Sequence, residues 1–267
     1  MNASVQHRTT SRSFFLSVTA IVLSFSTAAS QANISPANCA IAQYELLSAY
    51  HEYFNTPKDY RLKQNIVTRN DALSECVNTI SATLTPDVVN ALNASQKGMH
   101  TDLNYNISTL EKTGDAERQP VASMVNFALE TTKILGSQTD SSNATVGLLK
   151  KQATLMAYLK SRYLERAYAL GGVGLIRESS AEPSIEELVL DFSQKLEVLR
   201  KDKSLIANAE LYKKLNAVHV RFNFLKKSIM NYNKDVVPFV VGHHSAFIIK
   251  TLLDISSELE QKSSKAA

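Results

Sequence analysis

The chain is poor in the residues that interrupt helices. Its 267 residues include eight glycines and six prolines, few for the closely spaced turns of an all-β fold. It has no tryptophan and only two cysteines, which form no Cys-x-x-Cys, haem-attachment or metal-ligand pattern. No block of like charge occurs. Lys and Arg number 29 against 25 Asp and Glu, for a formal net charge of +4. That balance gives no reason to expect nucleic acid or an anionic membrane surface as a partner.

Signatures of catalysis are also missing. There is no Gly-x-Ser-x-Gly, no His-Glu-x-x-His and no paired-carboxylate pattern. Gly171-Gly172-Val173-Gly174 lacks the following Lys-Ser/Thr and the strand context of a phosphate loop, and reads instead as a helix end. His243-His244 is the one eye-catching pair of ligating side chains. Adjacent residues of a helix point about 100° apart and chelate one ion badly. His51, His100 and His219 stand alone. The sequence therefore predicts no enzyme, no cofactor and no metal site.

The first 32 residues carry a different signal. Arg8 and Arg12 precede an apolar run from Phe14 to Phe25, and small residues follow up to Ala32. A basic start, a short apolar middle and a small-residue exit are the parts of a secretory signal peptide, expected at 1–32 with cleavage after Ala32. The middle is about 12 residues, short for a permanent membrane helix. Beyond it, the nearest apolar run, Val236 to Val241, contains Pro238 and stops at Gly242. A periplasmic or secreted protein is expected, with no stable membrane insertion after cleavage.

What remains reads with helical period. Leu211, Leu215, Val218, Phe222, Leu225 and Ile229 are spaced four, three, four, three and four apart, one apolar stripe of a bundle helix. Ile185, Leu188, Phe192, Leu196 and Leu199 form another, Val88 to Leu110 a third, and Phe247, Thr251, Ile255 and Leu259 a fourth. Leu148, Gln152, Leu155, Leu159, Arg162 and Arg166 keep a similar rhythm with polar groups in the seam. Thr85-Pro86 reads as an N-cap followed by proline at the first helical position. Ser184 with Glu187 reads as a capping box. Breakers fall at 56–59, 85–87, 114–120, 136–143, 171–184 and 231–235, and eight helices are expected, four on either side of 136–143. The expected class is all-α, either two tandem up-down four-helix bundles or one elongated eight-helix array.

The halves also echo one another. Leu92-Asn93-Ala94 recurs as Leu215-Asn216-Ala217, and Phe127 to Thr131 aligns with Phe247 to Thr251. The expected organisation is an N-terminal helical bundle at 33–136, a linker at 137–143 and a C-terminal bundle at 144–267, related by duplication.

Cys39 and Cys76 are centred on the turn at Thr56 to Asp59. Two antiparallel helices leaving that turn bring the cysteines level, so an exported chain should bridge them. Such a loop should stabilise the fold by about 2–4 kcal/mol.

The segment Lys150 to Tyr163 places basic and amide groups inside an apolar helix. It resembles the first helix of the periplasmic sensor domain shared by type IV pilus methyl-accepting chemotaxis transducers and nitrate/nitrite-sensing histidine kinases. That helix typically reads Arg-Gln-Arg-Met-Leu-Ser-Gln-Arg before an aromatic residue. Lys151-Gln152 and Leu155 match its opening, and Tyr163 stands at the aromatic. A helix over Leu211 to Ile229 and a last helix with Ser245, Phe247, Leu252 and Leu253 continue the likeness. It covers 144–260, and more faintly 36–135 as a second copy. Met156-Ala157-Tyr158 replaces the Ser-Gln-Arg core, which removes the inward arginine used for nitrate-type anions. No second span, HAMP-like segment, kinase or methyl-accepting region accompanies it.

The resemblance implies a non-enzymatic sensor-like module without its transducer. It would bind a small-molecule or anionic ligand through Lys151, Gln152 and Arg162, or dock on a membrane chemoreceptor or histidine kinase. The alternative is an envelope structural or assembly factor acting only through protein–protein contacts.

Overall fold

In the computed structural model, which describes residues 35–55, 59–114, 118–136, 143–169, 183–232, 234 and 236–266, the protein is all-α. Nine helices occur among the described residues: α1 Pro36–Asn55, α2 Tyr60–Ser81, α3 Pro86–Thr113, α4 Arg118–Gly136, α5 Ala144–Ala169, α6 Ile185–Arg200, α7 Lys203–Ile206, α8 Ala209–Met230 and α9 Pro238–Ala266. The expected eight are joined by the one-turn α7. Asp202 starts it by accepting hydrogen bonds from the Ser204 and Leu205 backbone N–H groups, a local cap rather than an apolar period.

Local chemistry sets most boundaries. The Ser184 hydroxyl accepts from the Glu187 backbone N–H while the Glu187 carboxylate accepts from the Ser184 N–H, so the expected capping box opens α6. Asp59 caps α2, Asn208 caps α8, and the Asn143 side-chain oxygen Oδ1 accepts from the Thr145 and Val146 N–H groups at the start of α5. Thr85 and Pro86 open α3 as expected, although the Thr85 side chain makes no capping hydrogen bond. Gly114 ends α3 at φ 81°, a left-handed conformation that a side chain would strain. The expected signal peptide at 1–32, residues 137–142 of the expected linker 137–143, and the glycines at 171–174 lie outside the described residues.

All six residues of the Leu211–Ile229 stripe are buried, as are all five from Ile185 to Leu199. Burying such a side chain is worth about 1.5–3 kcal/mol. Leu92 follows the first residue of α3, Pro86, by six positions; Leu215 follows the first of α8, Ala209, by six. In α4 and α9 the same holds for Phe127 and Phe247, each nine positions after the first residue.

Helix α1 packs on α2 and α4, and α3 packs on α4. Helix α5 packs on α6 and α9, while α8 packs on α6 and α9. The sets meet where α1 lies along α5, and one continuous core runs through both. Pro36, Ala37 and Ala40 line a crevice with Lys150 and Thr154 near the start of both helices, and further along the Tyr44 and Tyr158 rings are 5.0 Å apart and Glu45 meets Lys160, so the two helices run in the same direction. Every residue of α5 from Met156 to Ala167 is buried. This departs from the single stripe read in the sequence, because α5 is covered by α1, α6 and α9 together.

The cysteine pairing is as expected. Cys39 and Cys76 are bonded, with Cα atoms 5.4 Å apart, and tie α1 to α2.

Candidate functional site

Helices α2 and α3 are neighbours in sequence but stand apart over their middle stretch. Two side-chain links bracket the gap: Gln96 Nε2 donates to Ser74 Oγ at 3.2 Å, and Lys63 Nζ donates to Glu111 Oε1 at 2.7 Å. Between them lies a recess of about 310 Å³ lined by Lys63, Ile66, Asn70, His100, Leu103 and Glu111, among others. A second recess of about 620 Å³ adjoins it past the Lys63–Glu111 pair, reaching Tyr53, Tyr60 and Gly114. The walls arise from helical period: Ile66 and Asn70 are four apart on α2, and His100 and Leu103 three apart on α3, so each pair shares a face.

The polar groups here are unevenly satisfied. Asn70 Oδ1 and His100 Nε2 are shielded from solvent and have no hydrogen-bond partner among the described residues. Burial lowers the His100 pKa from its ordinary value, which keeps the imidazole neutral at pH 7. The rim is fully paired. Tyr53 Oη donates to Glu111 Oε1 at 2.8 Å. Burial and this carboxylate push the Tyr53 hydroxyl up to about 12. Hydrogen bonds from Lys63 and Tyr53 lower the Glu111 pKa. The recess thus has apolar walls and a charged rim, and two of its lining residues, Asn70 and His100, each keep an unpaired polar atom shielded from solvent. An unpaired buried polar atom costs about 1–3 kcal/mol, and a bound group of matching polarity would recover it.

The residues expected from the sequence lie elsewhere and not together. Lys151 is exposed on α5. It borders an apolar crevice of about 140 Å³ shared with Pro36, Ala37, Ala40, Lys150 and Thr154. Gln152 is buried, and its Oε1 has no partner among the described residues. Arg162 is buried and its Nη1 donates to Glu165 Oε2 at 2.6 Å. Ten residues separate Gln152 from Arg162, which on a helix is about 15 Å, too far for one small ligand to touch both.

A buried charged seam runs between α1 and α5. Lys160 Nζ lies 3.0 and 2.9 Å from the two Glu45 carboxylate oxygens, with Arg69 3.8 Å from Glu45. Glu52 extends the group. Burial raises its pKa, opposed by the Lys160 charge. Its carboxylate faces Gly242 of α9.

His51 is enclosed in the same region. Burial, reinforced by the Arg162 charge, pushes its pKa down to about 3. A histidine depressed in the folded state contributes stability that is complete above its unfolded value of 6.5 and is lost as pH falls towards 3. The slope approaches about 1.4 kcal/mol per pH unit. Glu52 works the other way, because a raised carboxyl is relieved of its ionisation cost as pH falls. Comparing wild type with His51→Leu removes the Glu52 contribution. Urea denaturation at successive pH values between 6 and 5 should show the variant gaining on wild type by about 1.2 kcal/mol over that unit; parallel curves would contradict the burial of a neutral His51.

Among the described residues, no group of three or more His, Cys, Asp or Glu could hold a metal ion, and no helix is long and apolar enough to cross a membrane. Comparison with known protein families, with curated proteins and with solved structures finds no match.

Proposed function

We propose that this chain is an exported, non-enzymatic, sensor-like module that binds a small ligand in the recess between α2 and α3. The observation that carries this reading is the pairing of apolar walls with two unpartnered polar atoms, Asn70 Oδ1 and His100 Nε2. Ligand sites are concave, mostly apolar and fixed by a few convergent polar groups, with volumes of about 300–1,000 Å³. The ligand class that fits has an apolar body and a hydrogen-bond donor for the amide oxygen. The charged rim suits a polar or ionic substituent at its other end.

The resemblance of Lys150–Tyr163 to the first helix of chemotaxis-transducer and histidine-kinase sensor domains supports the signalling side of this proposal. In it, 33–136 and 144–267 are two up-down four-helix units joined through α1 and α5, acting in the periplasm. Their partner is a membrane chemoreceptor or histidine kinase. Lys151, Gln152 and Arg162, on the helix that joins the units, relay occupancy rather than hold the ligand.

A thermal-denaturation screen with amino acids, small carboxylates, amines and nitrate tests the proposal. A compound present at a hundred times its Kd should stabilise the fold by about 2.7 kcal/mol. Asn70→Leu with His100→Leu should abolish that gain while Lys151→Ala leaves it intact. If no compound raises the melting temperature, the assembly-factor reading takes its place.

A further inference from the structure

The outward face of α8 and α9 carries an apolar and cationic strip that the ligand reading leaves unused. Its rings form a chain. The Phe224 and His244 centroids are 5.1 Å apart, His244 and His243 5.3 Å, and His243 and Phe239 6.2 Å. Phe239 is 84% exposed and Phe224 60%, although both are large enough to be buried where a partner existed. Val220, one turn before Phe224, is 66% exposed. Among the described residues, five of the eleven large exposed hydrophobic ones fall between Val220 and Phe239, and the ring contacts join Phe224 to Phe239 in one strip rather than as the scattered singles of an ordinary surface.

Basic residues predominate along it. Residues 220–244 carry Arg221, Lys226, Lys227 and Lys234 against Asp235, and the flanking Glu210, Asp254 and Glu258 are taken up by Lys214 and Lys250. Arg221 lies 3.7 Å above the Phe247 ring with Nη1 3.1 Å from His244 Nδ1. Lys227 and Lys234 are exposed. None of those ion pairs involves Arg221, Lys227 or Lys234 among the described residues.

We infer that this strip docks on an anionic lipid bilayer, with Phe239 and Phe224 entering the headgroup boundary and Lys227 and Lys234 meeting the lipid phosphates. The charge complementarity sets the sign of the surface. A patch of exposed rings, with Phe239 and Phe224 largely in solvent, fits a deformable interface. Aromatic residues beside Lys and Arg are the composition of interfacial helix faces. The attachment is peripheral and independent of the ligand proposal, since it uses no residue of the α2–α3 recess.

The absence of tryptophan supplies the test. In the full chain, Phe239→Trp places a single indole on the strip. Its emission should shift to the blue on adding vesicles of equal parts phosphatidylcholine and phosphatidylglycerol, and stay unchanged with phosphatidylcholine alone. A lysine near an anionic surface contributes about fivefold in partitioning, so adding Lys227→Gln and Lys234→Gln should weaken the response about 25-fold. Ile206→Trp, on α7 and 52% exposed, should show no shift. Because the indole reports its own surroundings, attachment through another part of the chain cannot imitate the result. No shift for Phe239→Trp, an equal shift with neutral vesicles, or indifference to the lysine changes would overturn the inference and leave the strip to a protein partner.

Discussion

Replacing Lys160 with methionine is expected to lower the folding stability by about 3 kcal/mol. The Lys160 side chain is 8% exposed and that of Glu45 12%, so the pair is largely withdrawn from water. Its loss strands Glu45, whose remaining cation, Arg69, is 3.8 Å away and itself 44% exposed. It also removes the positive charge that opposes the burial of Glu52. Breaking a buried pair from one side costs more than the pair contributes, because an uncompensated charge stays behind. Methionine keeps the unbranched stem, so packing loss is small. Adding Glu45→Gln should therefore return more than half of the lost stability. Urea denaturation of the two single variants and the double variant measures the coupling. A Lys160→Met cost below about 1 kcal/mol would mean that water screens the pair as at a surface.

Removing the Cys39–Cys76 bond should cost slightly more. The sequence separation is 37, and closing a loop of that size restricts the unfolded chain by about 4 kcal/mol. Alanine is the suitable replacement at both positions, since Cys39 is fully buried and Cys76 nearly so, and serine would bury a hydroxyl. For a chain of this length each kcal/mol moves the melting temperature by roughly 2–4 °C. The double alanine variant should melt about 8–16 °C lower in calorimetry. A fall of less than a few degrees would mean that the helical hairpin is already held by its packing and that the bond constrains little.

The helices that were easiest to read are those with one apolar face. The α8 stripe, the Ser184–Glu187 capping box and the cysteines level across the first hairpin follow from period, caps and chain reversal, all local properties. Helix α5 was harder because a helix covered on all sides has no stripe to display, and its polar residues then look like ligand groups. Lys151 and Gln152 are adjacent in sequence, yet one is exposed and the other buried, because successive residues of a helix point about 100° apart. The α2–α3 recess left no motif. Its only trace is a polar residue on each apolar face, Asn70 after Ile66 and His100 before Leu103, and such residues are usually satisfied in a core. The basic strip was hidden by averaging: the whole chain is close to neutral, whereas one stretch of α8 and α9 is not.

The most direct test of the account is hydrogen exchange on the full chain with and without the compound that raises the melting temperature most. Exchange is expected to slow in α2 around Lys63 to Ser74 and in α3 around Gln96 to Glu111. A smaller change should pass into α1 and α5. Protection confined to α5 near Lys151, or no protection from any compound, would contradict a ligand site between α2 and α3.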